Sequence, residues 1–324
     1  RSEKMNSLFV ALLLTLVTLV FSKRAIDLKL IQHLNSKPKN WIAGPNKFFV
    51  GMQQAEVPKL LGWDKEAERK LRKVSKVVSY SGADVQGIPA TFTSSVNWPK
   101  CPTIGHIFNQ ADCGSCWAFG AIESASDRKC IATNGQWTAA LSFADLLECG
   151  GAGGCNGGSG GAAWNSLVRN GVVTDACYPY YIPTCPPQDQ PCLNFVPTPA
   201  CWSNQSCVNG ASWTSYQADT AYYVSEDVAS IQKEIMTYGP VEACFTVYKD
   251  FVHYKSGVYK HTSGGPLGGH CVKISGWGTE NGEPYWLVNN SWTTTWGLKG
   301  YFKILRGVDE CGIESDIIAG RFSS

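Results

Sequence analysis

No cysteine occurs in the first hundred residues of this 324-residue chain, yet fourteen follow from Cys101 onward. The split separates a cysteine-free leading part from a part suited to an oxidising compartment, where disulfides persist. Charge is also scarce: Asp, Glu, Lys and Arg make up 17% of the chain and leave a net +2, so nothing points to nucleic acid. No second Cys-x-x-Cys pair follows Cys113 and Cys116, as a zinc module would need, and the βαβ context of a thioredoxin-like dithiol is missing. Long hydrophobic runs are absent as well. The apolar stretch Leu8–Phe21, after Lys4 and Met5, is too short for a comfortable membrane span and suits a signal peptide cleaved after Ser22; the residues before Met5 read as upstream sequence. There is no internal repeat or low-complexity tract. What is plentiful is apolar content, 44% of residues, ample for a sizeable core.

The most informative stretch is Gln110-Ala-Asp-Cys-Gly-Ser-Cys-Trp-Ala-Phe119. After Cys116, the apolar residues Ala118, Ala121, Ile122 and Ala125 recur at helical spacing, and the pattern stops at Asn134-Gly135. Cys116 then sits at the positive end of a helix dipole, which favours an anion. Only the thiolate is nucleophilic, and a free cysteine titrates near pH ~8.5, so such help is needed. An imidazolium partner would complete the activation.

Of the five histidines, His33 lies in the leading part, and His106, His253 and His261 stand in polar or turn-like contexts and read as surface residues. His270 follows Gly268-Gly269 and opens the strand-like run Cys271-Val-Lys-Ile274, at 154 residues beyond Cys116. That is close to the spacing expected of a catalytic histidine, with a satisfied core histidine as the alternative. Asn290, in Tyr285-Trp-Leu-Val-Asn-Asn-Ser-Trp292, offers an amide to orient the ring, and Trp292 would shield that bond from water. The Gln110 side chain and the Cys116 backbone N–H can both face a tetrahedral oxyanion.

On these residues the chain resembles the papain family of cysteine peptidases, and within it the cathepsin B branch, over about residues 88–322. The branch is marked by Trp98-Pro-Lys-Cys-Pro-Thr-Ile104, Cys155-Asn-Gly-Gly158, Tyr180-Tyr-Ile-Pro-Thr-Cys185, Gly239-Pro-Val-Glu242, Phe251 to Tyr259, Phe302-Lys-Ile-Leu-Arg-Gly307 and Cys311-Gly-Ile-Glu-Ser-Asp316. The resemblance implies Cys116 as nucleophile, His270 as base, Asn290 as orienting residue and Gln110 as oxyanion donor. It places Gly157 and Gly158 along the substrate backbone, and Asp316, Cys244 and Cys271 in the primary specificity pocket. Asp316 would admit arginine or lysine beside apolar side chains, with a surface carboxylate as the alternative. Cys244 and Cys271 read better as two buried thiols than as a bonded pair that narrows the pocket.

The same resemblance implies disulfides Cys101–Cys130, Cys113–Cys155, Cys149–Cys201, Cys177–Cys207 and Cys185–Cys192, with Cys311 free and buried. Two further cysteines usual between Cys149 and Cys155 are jointly missing. Upstream, Asn40-Trp-Ile-Ala-Gly-Pro-Asn-Lys-Phe48 resembles the branch's pro-segment signature, and Lys59-Leu-Leu-Gly-Trp63 resembles the part that crosses the cleft in reverse. The chain is thus divided into a signal peptide (1–22), an inhibitory pro-segment (23–87) and a peptidase domain (88–324), with the mature enzyme beginning near Ile88-Pro89. The basic amphipathic segment from Lys65 to Lys76 reads as a solvated helix face rather than a partner-binding one.

Departures from the branch matter. Its occluding loop, here Cys185 to Cys192, is shorter, and Pro187 and Gln188 stand where two adjacent histidines normally hold a substrate's C-terminal carboxylate. Asn109 and Thr295 replace the acidic residues that latch that loop. Carboxydipeptidase activity should therefore be weak or absent. Asn204-Gln-Ser206 is a glycosylation sequon, whereas Asn289-Asn-Ser291 should be buried beside the site.

The predicted architecture is α+β with two lobes. Helices begin at Cys116, at Ser142 (with Asp145 completing a capping box) and at Ala162, the last ending at Asn170-Gly171. Strands follow at Val241–Tyr248, His270–Ser275, Tyr285–Asn289 and Tyr301–Leu305. A helical lobe carrying Cys116 would face a β-barrel-like lobe carrying His270. Implied partners are peptide and protein substrates, the chain's own pro-segment and cystatin-like inhibitors, with no metal, cofactor, nucleic acid or membrane span, and a secreted or lysosome-like location for a monomer. A silent, disulfide-rich binding protein on the same fold is the alternative function.

Overall fold

The computed structural model describes residues 23–181, 184–185, 190–191, 201 and 206–324. The signal peptide, Pro187, Gln188, the Cys185–Cys192 bond and the sequon at Asn204 lie outside the described residues.

The leading part contributes helices α1 (Leu28–Asn35) and α2 (Lys65–Arg72). Then come α3 (Cys116–Ala132), α4 (Phe143–Cys149), α5 (Gly160–Arg169) and α6 (Val228–Tyr238). The strands are β1 (Trp41–Ala43), β2 (Val77–Val78), β3 (Phe92–Thr93), β4 (Thr220–Val224), β5 (Val241–Tyr248), β6 (Tyr254–Tyr259), β7 (Pro266–Glu280), β8 (Glu283–Asn289), β9 (Tyr301–Leu305) and β10 (Asp316–Arg321). They form a ten-stranded mixed sheet in the order β1-β6-β9-β8-β7-β5-β10-β4-β2, with β3 pairing on β7. Both ends of this order, β1 and β2, come from the leading part.

α3 begins at Cys116 and ends before Asn134 and Gly135, which take positive φ. It is buried on nearly every side, so its polar residues must find partners inside the protein. Lys273 on β7 lies 2.8 Å from Asp127 and 3.6 Å from Glu123, and Arg128 lies 2.8 Å from Glu234 on α6. Burial pushes the Glu123 carboxyl up to about 8 and raises Asp127, against the pull of Lys273 on both. The Lys273 contacts fix the helix that carries Cys116 against the strand that carries His270, and the Arg128 contact ties it to α6.

Several details differ from the sequence reading. Ser142 caps α4 by accepting the Asp145 N–H, but the Asp145 carboxylate accepts from Val173 N–H at 2.9 Å instead of closing a capping box. α5 starts two residues earlier than Ala162, capped by Ser159. β7 is longer than His270–Ser275 because it pairs with β5 along its first half and with β8 and β3 along its second. Gly276 lets it pass close to β3; a Cβ there would fall 2.3 Å from the Phe92 carbonyl oxygen.

His253 is buried, not at the surface. The leading part covers it: Gly44 N–H donates to the His253 carbonyl and Asn46 Nδ2 to the Val252 carbonyl. Burial pushes its imidazole down to about 4. The helix at Lys65–Arg72 is likewise not simply a solvated face, since Glu68 on it is completely buried.

Disulfides join Cys101 to Cys130, Cys113 to Cys155, Cys149 to Cys201 and Cys177 to Cys207. A further bond joins Cys244 to Cys271, against the expectation of two thiols. The two residues face each other directly on β5 and β7 with Cα atoms 4.0 Å apart, which puts both side chains on one face of the sheet. Among the described residues, Cys116 and Cys311 are free, and Cys311 is half-buried rather than buried.

Candidate active site

Cys116 opens α3, His270 lies on β7 opposite Phe245 of β5, and Asn290 follows the end of β8. All three are completely buried. His270 Nε2 and Asn290 Oδ1 are 2.8 Å apart. An amide oxygen only accepts, so Nε2 carries the proton and Nδ1 keeps its lone pair. Nδ1 is buried and has no hydrogen-bond partner, leaving it available as a base. Trp292 stacks on the His270 ring at 4.7 Å and is itself fully buried, so the His270–Asn290 bond is dry.

Gln110 is held by Ser291 at both ends. Its backbone N–H donates to the Ser291 carbonyl, and its Oε1 accepts the Ser291 hydroxyl at 2.7 Å. Sequence reasoning missed Ser291, although it lies inside the Asn-Ser-Trp stretch beside Asn290. Fixing Oε1 forces the amide nitrogen toward the cleft. Ser115, just before Cys116, does not cap α3; its hydroxyl meets Tyr180 instead. First-turn N–H groups lack intrahelical partners, so the Cys116 N–H can serve beside Gln110 Nε2.

The cleft is filled by the leading part of the same chain. Gly62 N–H donates to Cys116 Sγ at 3.3 Å, and Gln110 Nε2 donates to the Leu60 carbonyl at 2.8 Å. On one side Gly158 N–H donates to the Gly62 carbonyl, and Asp64 N–H to the Gly158 carbonyl, both at 2.8 Å. On the other, Trp63 N–H donates to the Gly269 carbonyl at 3.1 Å. The pairing of Trp63 with Gly158 is parallel. Only glycine fits at position 62, because a Cβ would fall 1.7 Å from the Gly114 carbonyl oxygen.

Burial under this segment pushes the Cys116 thiol up to about 11, overcoming the N–H groups of Cys271, Gly62 and Trp117 that pull it down. Burial pushes the His270 imidazole down to about 4, with its bond to Asn290 pulling the other way. The helix dipole alone suggested a thiolate. In the covered cleft desolvation outweighs it, and Cys116 and His270 are both neutral.

Asp316 pairs with Cys244 across β10 and β5, and Cys244 with Cys271 across β5 and β7, so the three form a row leading from β10 to the residue beside His270. Burial, then the nearby Glu68, lift the Asp316 carboxyl to about 6. Among the described residues, Glu242, Cys244 and Cys271 bring their ligand atoms within 4.8 Å of one another. The disulfide consumes both thiolates, so this trio offers a metal little.

The family model for papain family cysteine proteases matches residues 92–321. This chain belongs to the papain family. The cathepsin B of Dictyostelium discoideum is 50% identical over 270 residues, covering 82% of this chain and 83% of the relative. The cathepsin B-like cysteine proteinase 4 of Caenorhabditis elegans is 42% identical over 316 residues, covering 89% and 90%. Among solved structures, proCathepsin B S9 from Trypanosoma congolense superposes with a TM-score of 0.82 at 34% identity, covering 93% of this chain and 99% of the other. The chain is a cathepsin B-like cysteine peptidase of the papain family, and its fold includes a pro-segment seated in its own cleft. No helix among the described residues is long and apolar enough to cross a membrane.

Proposed function

We propose that this papain-family chain is the precursor of an endopeptidase in which Cys116 is the nucleophile, His270 the base, Asn290 the orienting amide and Gln110 the oxyanion donor. The observation that carries this reading is the arrangement of Cys116, His270 Nδ1 and Gln110 Nε2 along one cleft already filled by backbone. Cleavage near Ile88 would release residues 23–87 and rehydrate the cleft. The thiol then passes its proton to Nδ1, and the resulting ion pair attacks a peptide carbonyl. Negative charge gathers on the carbonyl oxygen, where Gln110 Nε2 and the Cys116 N–H donate to it. The imidazolium protonates the leaving amine, a thioester remains on Cys116, and His270 then activates water to hydrolyse it. Gln110→Ala is expected to lower kcat by a factor of ~100 in single-turnover measurements while leaving the processed protein folded.

Substrate would lie along Gly157 and Gly158, antiparallel to them and so opposite in direction to the pro-segment. Internal cleavage should dominate. Pro187 and Gln188 offer no cation to a C-terminal carboxylate, and the latch positions are uncharged: Asn109 Oδ1 accepts the Ala111 N–H and the Thr295 hydroxyl meets that of Thr293. The test compares a blocked internal peptide amide with a peptide bearing a free C-terminal dipeptide. Faster cleavage of the blocked peptide is expected, and faster dipeptide release would overturn this part of the reading. The disulfides support a secreted or lysosome-like location.

A further inference from the structure

The disulfide between Cys244 and Cys271 lies against the segment that fills the cleft. Trp63 pairs with Gly158 on one side, and its N–H donates to the Gly269 carbonyl on the other. A Cβ on Gly269 would fall 2.7 Å from Trp63 Cε3, and the buried indole joins Cys244, Cys271, Trp117 and Ala118 in one apolar cluster. The Trp63 side chain therefore marks the pocket open to a substrate residue that pairs with Gly158. Cys271 also follows His270 directly, and its N–H faces the Cys116 sulfur.

The fold does not depend on this bond. β5 and β7 pair from Ala243 with Val272 to Tyr248 with Pro266, so the ladder keeps both strands in register when the sulfurs part. Cys244 is held from its other side by Asp316 on β10, and β7 runs on into its pairing with β8.

A second observation favours the open pair. Glu242 is completely buried; its Oε2 accepts from Trp164 Nε1 at 3.0 Å, but its Oε1 has no partner. A carboxylate oxygen of Glu242 and both sulfurs lie within 4.8 Å of one another. Gly120 on α3 and Gly160 on α5 pack against this carboxylate, and neither belongs to residues 23–87. A buried acceptor without a donor is costly. A disulfide has no hydrogen to offer it, whereas a thiol S–H does.

We propose that the Cys244–Cys271 bond is a redox switch that sets which side chains the pocket of the processed enzyme admits. This rests on the peptidase reading above. The reductant is a small monothiol. One thiolate attacks a sulfur of the pair and forms a mixed disulfide; a second displaces it, leaving two cysteine thiols and one oxidised dimer of the monothiol. Two electrons and two protons pass from the two monothiols to the pair. Bonding holds the sulfurs inside their contact distance, and reduction pushes them apart to it while an S–H turns to Glu242. The reduced pocket has less room for a broad side chain, so here the bond opens the pocket rather than narrowing it. In the precursor both sulfurs are completely buried, in the same cluster as Trp63, and the switch is sealed until residues 23–87 leave.

The test uses processed wild-type enzyme over a series of glutathione concentrations, with two blocked peptide amides that carry Trp or Val at the second residue before the scissile bond. Both peptides draw on the same active molecules, so the ratio of their kcat/KM values is independent of how much Cys116 is reduced. Mass spectrometry after alkylation reads which cysteines have opened. As Cys244 and Cys271 become alkylated, with the other four described disulfides intact, the Trp-to-Val ratio is expected to fall about tenfold, the low end of what one methylene of pocket space discriminates. Cys244→Ala with Cys271→Ala should make the ratio insensitive to glutathione. A constant ratio in wild type while both residues become alkylated would overturn the switch, as would a pair that stays bonded until the other disulfides open; either result leaves the peptidase reading intact. No cleavage of either peptide at any glutathione concentration would remove the peptidase reading, and the switch with it.

Discussion

Cys116→Ala in the processed protein is expected to abolish hydrolysis of a blocked peptide amide, a loss on the order of 10⁶ in kcat by analogy with nucleophile deletions in other hydrolases. The size follows from how the site divides its work. Gln110 and the Cys116 N–H can still bind an oxyanion in the variant, but no group remains to form the acyl bond. His270 keeps the orientation given by Asn290 and Trp292, but without the sulfur it has no thiol to deprotonate and no thioester to hydrolyse. The variant should fold normally. Cys116 makes no disulfide, and the ion pairs of Lys273 with Asp127 and Glu123 hold α3 without it. The check is an activity assay on wild type and variant after identical processing, with circular dichroism to compare their folds. Equal turnover would place the chemistry elsewhere.

The second large effect concerns the uncut precursor. Alkylation of Cys116 by iodoacetamide at pH 7 should be at least ~1000-fold slower in the precursor than in the processed enzyme. A thiol pushed up to about 11 is ionised only to about one part in 10⁴ at pH 7, because the thiolate fraction falls tenfold for each unit by which pKa exceeds pH. The sign of the pH dependence follows. Precursor reactivity should rise about tenfold per unit between pH 6 and 9, since the thiolate fraction limits it throughout. The processed enzyme should stay nearly flat there, its thiolate stabilised by a charged His270. Mass spectrometry of the Cys116 peptide reads both profiles. A flat profile in the precursor would mean that the ion pair already exists beneath the pro-segment.

Much of this site was legible in the sequence for identifiable reasons. The start of α3 at Cys116, its end before Asn134-Gly135, and the bounds of Val241–Tyr248 and Tyr301–Leu305 are set by local periodicity and turn residues, which act over a few residues. The meeting of His270 with Asn290 depends on strand pairing, yet the motif around each residue is distinctive enough to suggest it. What could not be read depends on contacts across long separations. Glu68 looks like one more charge on a charged helix until α5 supplies its N–H groups, 92 and 93 residues away. His253 has a turn-like context, but residues 44–46 cover it. The bond between Cys244 and Cys271 required the register of β5 against β7, which neither strand specifies alone. Ser291 acts through a side chain 181 residues distant.

The order of the sheet has a consequence for biogenesis. With β1 and β2 in place, β6 and β4 each have neighbours on both sides; the proposed cleavage near Ile88 would leave both as outermost strands with unpaired N–H and C=O groups. Open edges of that kind invite pairing with other chains. On that proposal the precursor carries its own edge protection, and the step that opens the cleft would also open both edges of the sheet.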